Sequence, residues 1–273
     1  MGKSKGKLAG QSDVDKEFRL YAMYVNTTGL VLRETAYKDS SKILTVLTGG
    51  EGKQTVTARG ALRRNSKLAA VTQLLVFSEM TLYSNRDRWL LTEARSIEQF
   101  SGLRYDIALL ALGSYFAELT EAAADEDSPN PELLPLCLNA LFALSEGIGA
   151  PEYVKPVFEF RLMSVSGFAP LVSHCCICGR EDAGQALLSL SEGTLYCKDC
   201  AAMKSAPAED GAVLGKGALD AARYIIGCDS KKLFSFSLGE TSLRELASAA
   251  ERYLLTQLDR RFRTLDYYKG IRS

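Results

Sequence analysis

Two C-x-x-C pairs, Cys175/Cys178 and Cys197/Cys200, stand eighteen residues apart. Each pair can close a tight turn on one side of a single ion, and four thiolates at roughly 2.3 Å meet the tetrahedral demand of a structural Zn²⁺. The spacing therefore predicts a small zinc-ribbon motif over residues 171–203, with one Zn²⁺ per chain. Gly179 and Gly193 suit its turns, and Cys176 is expected to face away from its two ligating neighbours. A catalytic zinc needs an open coordination position, whereas the one histidine, His174, abuts a site that four cysteines already fill. Redox chemistry by the C-x-x-C pairs is the competing reading. Cys137 and Cys228 read as small apolar residues. Paired spacing among seven cysteines favours metal ligation in a reducing compartment over a disulfide framework.

The second constraint is charge. The chain balances 33 basic against 33 acidic side chains, so any attraction to phosphate must come from local segregation. Such segregation occurs in ARGALRRNSKL, where Arg59, Arg63, Arg64 and Lys67 stand in a stretch with no carboxylate between Glu51 and Glu79. Its Gly, Asn and Ser residues predict a mobile loop, and a mobile basic loop on a small barrel can grip a phosphate backbone without reading sequence. Arg33, Lys38, Lys42 and Lys53 are nearby in sequence, with Tyr37, Tyr83 and Trp89 as aromatics that could stack on bases. A solvated loop and simple packing of these rings are the plainer alternatives. A four-thiolate zinc site carries about −2, so the cysteine motif itself should not attract phosphate.

Periodicity divides the chain in two. Residues 26–37, 42–49, 54–60, 71–83 and 88–98 read as five β-branched strands, the last two hinged at Ser84-Asn85-Arg86-Asp87, which predicts a small barrel. From Arg104 the period becomes helical, with helices expected over 104–124, 131–147, 151–167, 216–227 and 242–262. Leu243, Leu246, Ala247, Ala250, Leu254, Leu258 and Phe262 form one stripe of the last, read as core. Residues 1–20 read as a flexible tail without a secretory signal, and no run approaches the about 18 apolar residues of a membrane span, so cytoplasm is the expected location.

Three separated segments carry a resemblance. TTGLVLRETAYKDSSKILTVLTGGEGKQTVTARGALRRNSKL, NRDRWLLTEA and FEFRLMSVSGFAPLVSHCCICG, the last with Gly167-Phe168-Ala169-Pro170 before the cysteines, resemble the RecO family of recombination mediators from about Tyr24 to Cys200. The resemblance implies an α+β multidomain protein: a five-stranded OB-fold barrel over 21–100, then an all-helical domain over 101–273 with the inserted four-cysteine zinc motif. It further implies a non-enzymatic, nucleoid-associated DNA repair protein. Such a protein binds single- and double-stranded DNA, anneals single strands, and works with RecR and the single-strand DNA-binding protein in loading recombinase. The sequence departs from the family pattern at Leu62 and in its longer tail before Tyr24.

Motifs for chemistry are missing. GGEGKQ lacks the spacing of a phosphate loop and ends in Gln54; there is no G-x-S-x-G elbow and no H-E-x-x-H. Two readings compete with DNA binding and annealing. One is a metal-dependent nuclease using acids such as Glu34 and Asp39; the other is an interaction scaffold built on the zinc ribbon and helices.

Overall fold

The computed structural model describes residues 23–84, 88–126, 128–182, 184–204 and 210–272. The predicted tail 1–20 and positions 85–87 of the predicted hinge lie outside the described residues.

Five strands open the described chain: β1 (Met23–Tyr37), β2 (Ser41–Thr48), β3 (Gly52–Ala58), β4 (Phe77–Ser84) and β5 (Trp89–Glu98). They pair in the order β1-β2-β3-β5-β4, and β1 also pairs with β4, so the sheet closes on itself. Four pairings are antiparallel; the seam between β3 and β5 is a short parallel one, Val56↔Trp89 and Thr57↔Leu90. At 15 residues β1 is long enough to serve two partners, β4 with its first half and β2 with its second. A register shift between Val31 and Arg33 supplies the local bend that such double service requires.

Burial explains why β1 and β2 read as apolar runs rather than as clean alternation. Val31, Leu44, Val46, Val56, Met80 and Leu82 fill the barrel. Leu30, Leu32 and Leu47, pointing the other way, belong to the core of the helical half together with Leu112, Tyr115, Phe116 and Phe158. One side of the sheet is thus covered by helices, so successive residues are buried on both faces.

The helical half contains α1 (Ile107–Ala123), α2 (Leu133–Ser145), α3 (Pro151–Val165), α4 (Lys198–Lys204), α5 (Lys216–Gly227), α6 (Glu240–Leu258) and α7 (Arg263–Arg272). Asp106 caps α1 by accepting from the backbone N–H of Ala108 at 2.7 Å and of Leu109 at 3.2 Å. α3 is central and buried almost all round, from Val154 to Met163. Its buried charges are paired. Lys155 meets Glu159 at 2.7 Å and Glu251 at 2.8 Å, the Tyr115 hydroxyl donates to Glu159 at 2.7 Å, and Arg161 meets Glu132 at 3.0 Å.

Four sequence expectations need correction. The C-terminal half is not all-helical: β6 (Gln185–Ser189), β7 (Leu195–Cys197) and β8 (Gly211–Gly215) form a sheet of order β7-β6-β8. Strands of three to five residues are too short to show a period. The fourth strand begins at Phe77, not Val71, because the preceding residues coil into turns. The last predicted helix stops at Leu258, where Asp259 takes a left-handed φ of 43°, and α7 starts anew. Phe262 is nevertheless buried, edge-on to Tyr115 with ring centroids 6.0 Å apart. Finally, the buried face of α6 is Leu246, Ala249, Ala250, Tyr253 and Leu254, so Leu243, Ala247 and Leu258 of the predicted stripe are only half-buried.

Glu251 links α3 to α6 and α7. Burial pushes its carboxyl upward, but Lys155 and Lys269 outweigh that and hold it below the ordinary range. A carboxylate lowered in the folded state stabilises above its unfolded value of about 4.3 and loses that contribution as pH falls through the folded one. Glu251→Gln is expected to lower the melting temperature near pH 7 and to shrink the drop in melting temperature between about pH 6 and pH 3. Thermal scans across that range check it, and an unchanged acid dependence would contradict it.

Candidate nucleic-acid interface and metal centre

The basic segment is anchored, not mobile as its composition predicts. After β3, Gly60 turns the chain with φ 70°, and the backbone N–H of Leu62 donates to Ser40 O at 3.0 Å, docking the segment beside the β1–β2 turn. Successive turns follow, among them Arg63 N–H to Gly60 O at 3.1 Å, Ser66 N–H to Arg63 O at 3.0 Å and Thr72 N–H to Leu68 O at 3.2 Å. Ala61, Val71, Leu75 and Val76 are buried in this coil, Ala61 within the barrel core and Leu75 within the core of the helical half.

On that frame Arg59, Arg63, Arg64 and Lys67 are all exposed, and among the described residues none takes an acidic partner. Lys38, in the adjacent turn with φ 53°, lies 5.2 Å from the centre of the Tyr37 ring. The remaining predicted cations are engaged in the fold. Lys42 pairs with Glu34 and donates to Thr72 O at 3.3 Å; Arg33 meets Glu121 at 2.9 Å; Lys53 donates to Glu121 O at 3.1 Å. The structure thus groups Arg59, Arg63, Arg64, Lys67 and Lys38 at one end of the barrel and sets Arg33 and Lys53 at its junction with α1.

A cleft of about 570 Å³ opens at that junction, where Arg260 and Arg263 line the side contributed by the α6–α7 corner. Glu34, Glu118 and Glu121 share it, so three carboxylates stand against the cations Arg33, Lys53, Arg260 and Arg263. Of the aromatics, Trp89 packs against the barrel core, Tyr37 is 40% exposed, and Tyr83 has its ring centre 5.0 Å from that of Tyr24, the two rings tilted by 48°.

The four cysteines converge: all four sulfur atoms lie within 4.8 Å of one another. Cys175 and Cys178 bracket a knuckle in which Gly179 N–H donates to Cys175 O and Cys175 N–H to Arg180 O, each at 2.9 Å. Gly179 (φ 72°) and Gly193 (φ 66°) supply the left-handed turns that side chains resist. Cys197 ends β7 and Cys200 lies in α4. Cys176 is exposed, outside the group. His174 is also outside it, with its Nδ1 2.9 Å from the Ser173 hydroxyl. Burial opposes ionisation of Cys175, yet the N–H groups of Cys178, Cys197 and Ile177 draw its thiol down to about 6. The hydrogen bond to Cys197 pushes the Cys200 thiol up to about 12. Arg180 pairs with Asp199 at 2.9 Å.

One residue supporting this centre carried no signal in the sequence. Arg223 of α5 donates to three carbonyls flanking the knuckle, Val172 at 2.8 Å, Ser173 at 2.9 Å and Glu181 at 2.7 Å. Nothing in KGALDAARYIIG distinguishes it from a solvent-facing arginine.

Two family models cover this architecture: Recombination protein O N terminal matches residues 23–100, and Recombination protein O C terminal matches residues 104–266. The chain belongs to the RecO family. A DNA repair protein RecO from Acetivibrio thermocellus is 32% identical over 249 residues, covering 91% of this chain and 97% of the relative. One from Caldicellulosiruptor bescii is 31% identical, covering 90% and 98%, and one from Listeria monocytogenes is 36% identical over 172 residues, covering 63% and 67%. Among the described residues, no helix of this RecO-family chain is long and apolar enough to cross a membrane.

The convergence of four sulfurs generates a direct test. Replacing Cys178 and Cys200 by Ser is expected to abolish retention of about one metal ion per chain and to lower the melting temperature, because binding free energy at a structural site is in part folding free energy. Metal analysis and thermal scans of the variant beside wild type check this. A wild-type protein that holds no metal and melts like the variant would contradict it.

Proposed function

We propose that this chain is a non-enzymatic DNA-binding recombination mediator, which binds and anneals single-stranded DNA and helps to load recombinase during DNA repair. The observation that carries the reading is the cluster of exposed cations Arg59, Arg63, Arg64 and Lys67, with Lys38 beside them, held without acidic partners among the described residues on an anchored turn of a small barrel. Phosphate contacts of this kind position a strand without reading its sequence, which is what a protein acting on arbitrary strands needs. The strand order β1-β2-β3-β5-β4 is that of an OB-fold, a barrel used repeatedly for single strands, and the relatives are named DNA repair proteins.

Zn²⁺ fits the Cys175, Cys178, Cys197 and Cys200 set, since four sulfurs within 4.8 Å of one another can supply all four positions of a structural site and would leave none for substrate. Its part is to brace the ribbon and, through Arg223, α5. The partners in this reading are single- and double-stranded DNA, RecR and the single-strand DNA-binding protein, in the cytoplasm with the nucleoid. The nuclease alternative, which calls on Glu34 and Asp39, is disfavoured by the state of the first of these acids. Glu34 pairs with Lys42 and accepts from Leu74 N–H at 3.1 Å, which leaves it committed to the barrel.

If each of the four cations neutralises one phosphate, the plot of log affinity against log salt gains a slope of about −0.7 per contact on single strands. Changing Arg59, Arg63, Arg64 and Lys67 to Ala should flatten that slope by up to about 2.8, with similar losses on unrelated oligonucleotides. Exposed substitutions of this kind usually stay within about 0.5 kcal/mol, so melting should barely move. Salt titrations on two unrelated sequences decide it; an unaltered slope in a folded variant would refute the assignment. Annealing of complementary strands, with and without the single-strand DNA-binding protein, tests the wider reading.

A further inference from the structure

Beyond Phe77, the outer face of β4 and β5 with the first half of β1 is bare of packed helices among the described residues. Cross-strand register sets its rows. Tyr24 lies opposite Tyr83, Tyr83 opposite Leu90, and Leu90 opposite Thr57, so one row runs across four strands and ends two residues before Arg59. In that row Tyr24 is 65% exposed, its ring 5.0 Å from that of Tyr83 and tilted by 48°.

Below the rings the face is concave. A trough of about 540 Å³ is lined by Asn26, Thr28, Glu79, Thr81, Glu93 and Arg95. The Thr81 hydroxyl donates to Asn26 Oδ1 at 2.9 Å, which leaves the Asn26 amide NH₂ to donate elsewhere. Arg88, just before β5, and Arg95 are exposed at the two ends of this face, and neither has an ion-pair partner among the described residues. Flat rings between unpaired cations, beside polar groups that can meet base edges, match the chemistry of an unpaired nucleotide segment: phosphates at the ends, bases on the rings.

We propose that Tyr24 and Tyr83 form a stacking platform for unpaired bases, and that this platform, in line with the basic turn at Arg59, makes the barrel prefer single strands to duplex. In a duplex the bases already stack on one another and offer the rings no free face. The two parts of the path act by different physics. The basic turn contributes a salt-dependent term; the tyrosines contribute one that salt leaves alone. The inference rests on the reading that DNA is the ligand, and the experiment separates the two.

Binding of a labelled single strand and of the matching duplex is to be measured across a salt series for wild type, Tyr24→Ala/Tyr83→Ala and Tyr24→Phe/Tyr83→Phe. Loss of stacking is worth about 5- to 140-fold in affinity per base. The alanine pair is therefore expected to weaken single-strand binding by at least about 5-fold, with duplex affinity and the salt slope unchanged, and the phenylalanine pair to bind like wild type. Wild-type affinity in the alanine pair, or equal losses on single strand and duplex, would overturn the platform while leaving DNA binding in place. Failure of wild type to retain either DNA would instead overturn the functional reading beneath it. Photocrosslinking of wild type to an oligonucleotide carrying 5-iodouracil tests the same contact without any substitution: adducts are expected on the peptides containing Tyr24 or Tyr83, and adducts confined to other peptides would refute it.

Discussion

The run Leu30-Val31-Leu32 is buried on both faces, and most of the architecture follows from that. Val31 enters the barrel, while Leu30 and Leu32 enter the helical core, so a single stretch of β1 contributes to two hydrophobic clusters. Burying each leucine is worth about 1.5–3 kcal/mol, which cannot be realised unless α1 covers that side of the sheet. The barrel and the helices are consequently joined by a shared core. This leaves the opposite side, β4 and β5 with the first half of β1, open to solvent.

The same junction sorts the charges. Arg33 and Lys53 lie where barrel meets helices and are satisfied there by Glu121 and by Glu121 O, while Lys42 is satisfied within the barrel by Glu34 and Thr72 O. Arg59, Arg63, Arg64, Lys67 and Lys38 lie away from it, and among the described residues none of them forms an ion pair, although the exposed Asp39 shares the turn of Lys38. A chain of zero formal charge can thus present a local positive field, because its acids are spent elsewhere. Glu118 and Glu121 on α1 are examples, held by Arg260 at 3.8 Å and by Arg33 at 2.9 Å.

Much of this was legible in the sequence where the signal was local. The C-x-x-C spacing pointed to four ligands that do converge, and β-branched runs marked five strands to within a few residues, except at the start of β4. VTQLL read as strand because it is apolar, yet Val71 and Leu75 are buried as anchors of a coil, a distinction that depends on Leu75 bonding to Val31 O and not on composition. The sheet β7-β6-β8 escaped because its strands are short. The roles of Lys42 and Arg223 escaped because their partners, Glu34 and the knuckle carbonyls, are set by the fold. Tyr24 lies before the predicted first strand, 26–37, and only the register of β1 against β4 sets it opposite Tyr83.

The central claim is that the fold divides its cations into a structural set and a strand-binding set, and lysine acetylation footprinting read by mass spectrometry tests it most directly. With and without a saturating single strand, Lys38 and Lys67 are predicted to be modified in the free protein and protected in the complex, while Lys42, its side chain only 12% exposed, stays poorly reactive in both. Protection of Lys53 while Lys38 and Lys67 remain fully reactive would contradict the account and move the strand to the junction cleft.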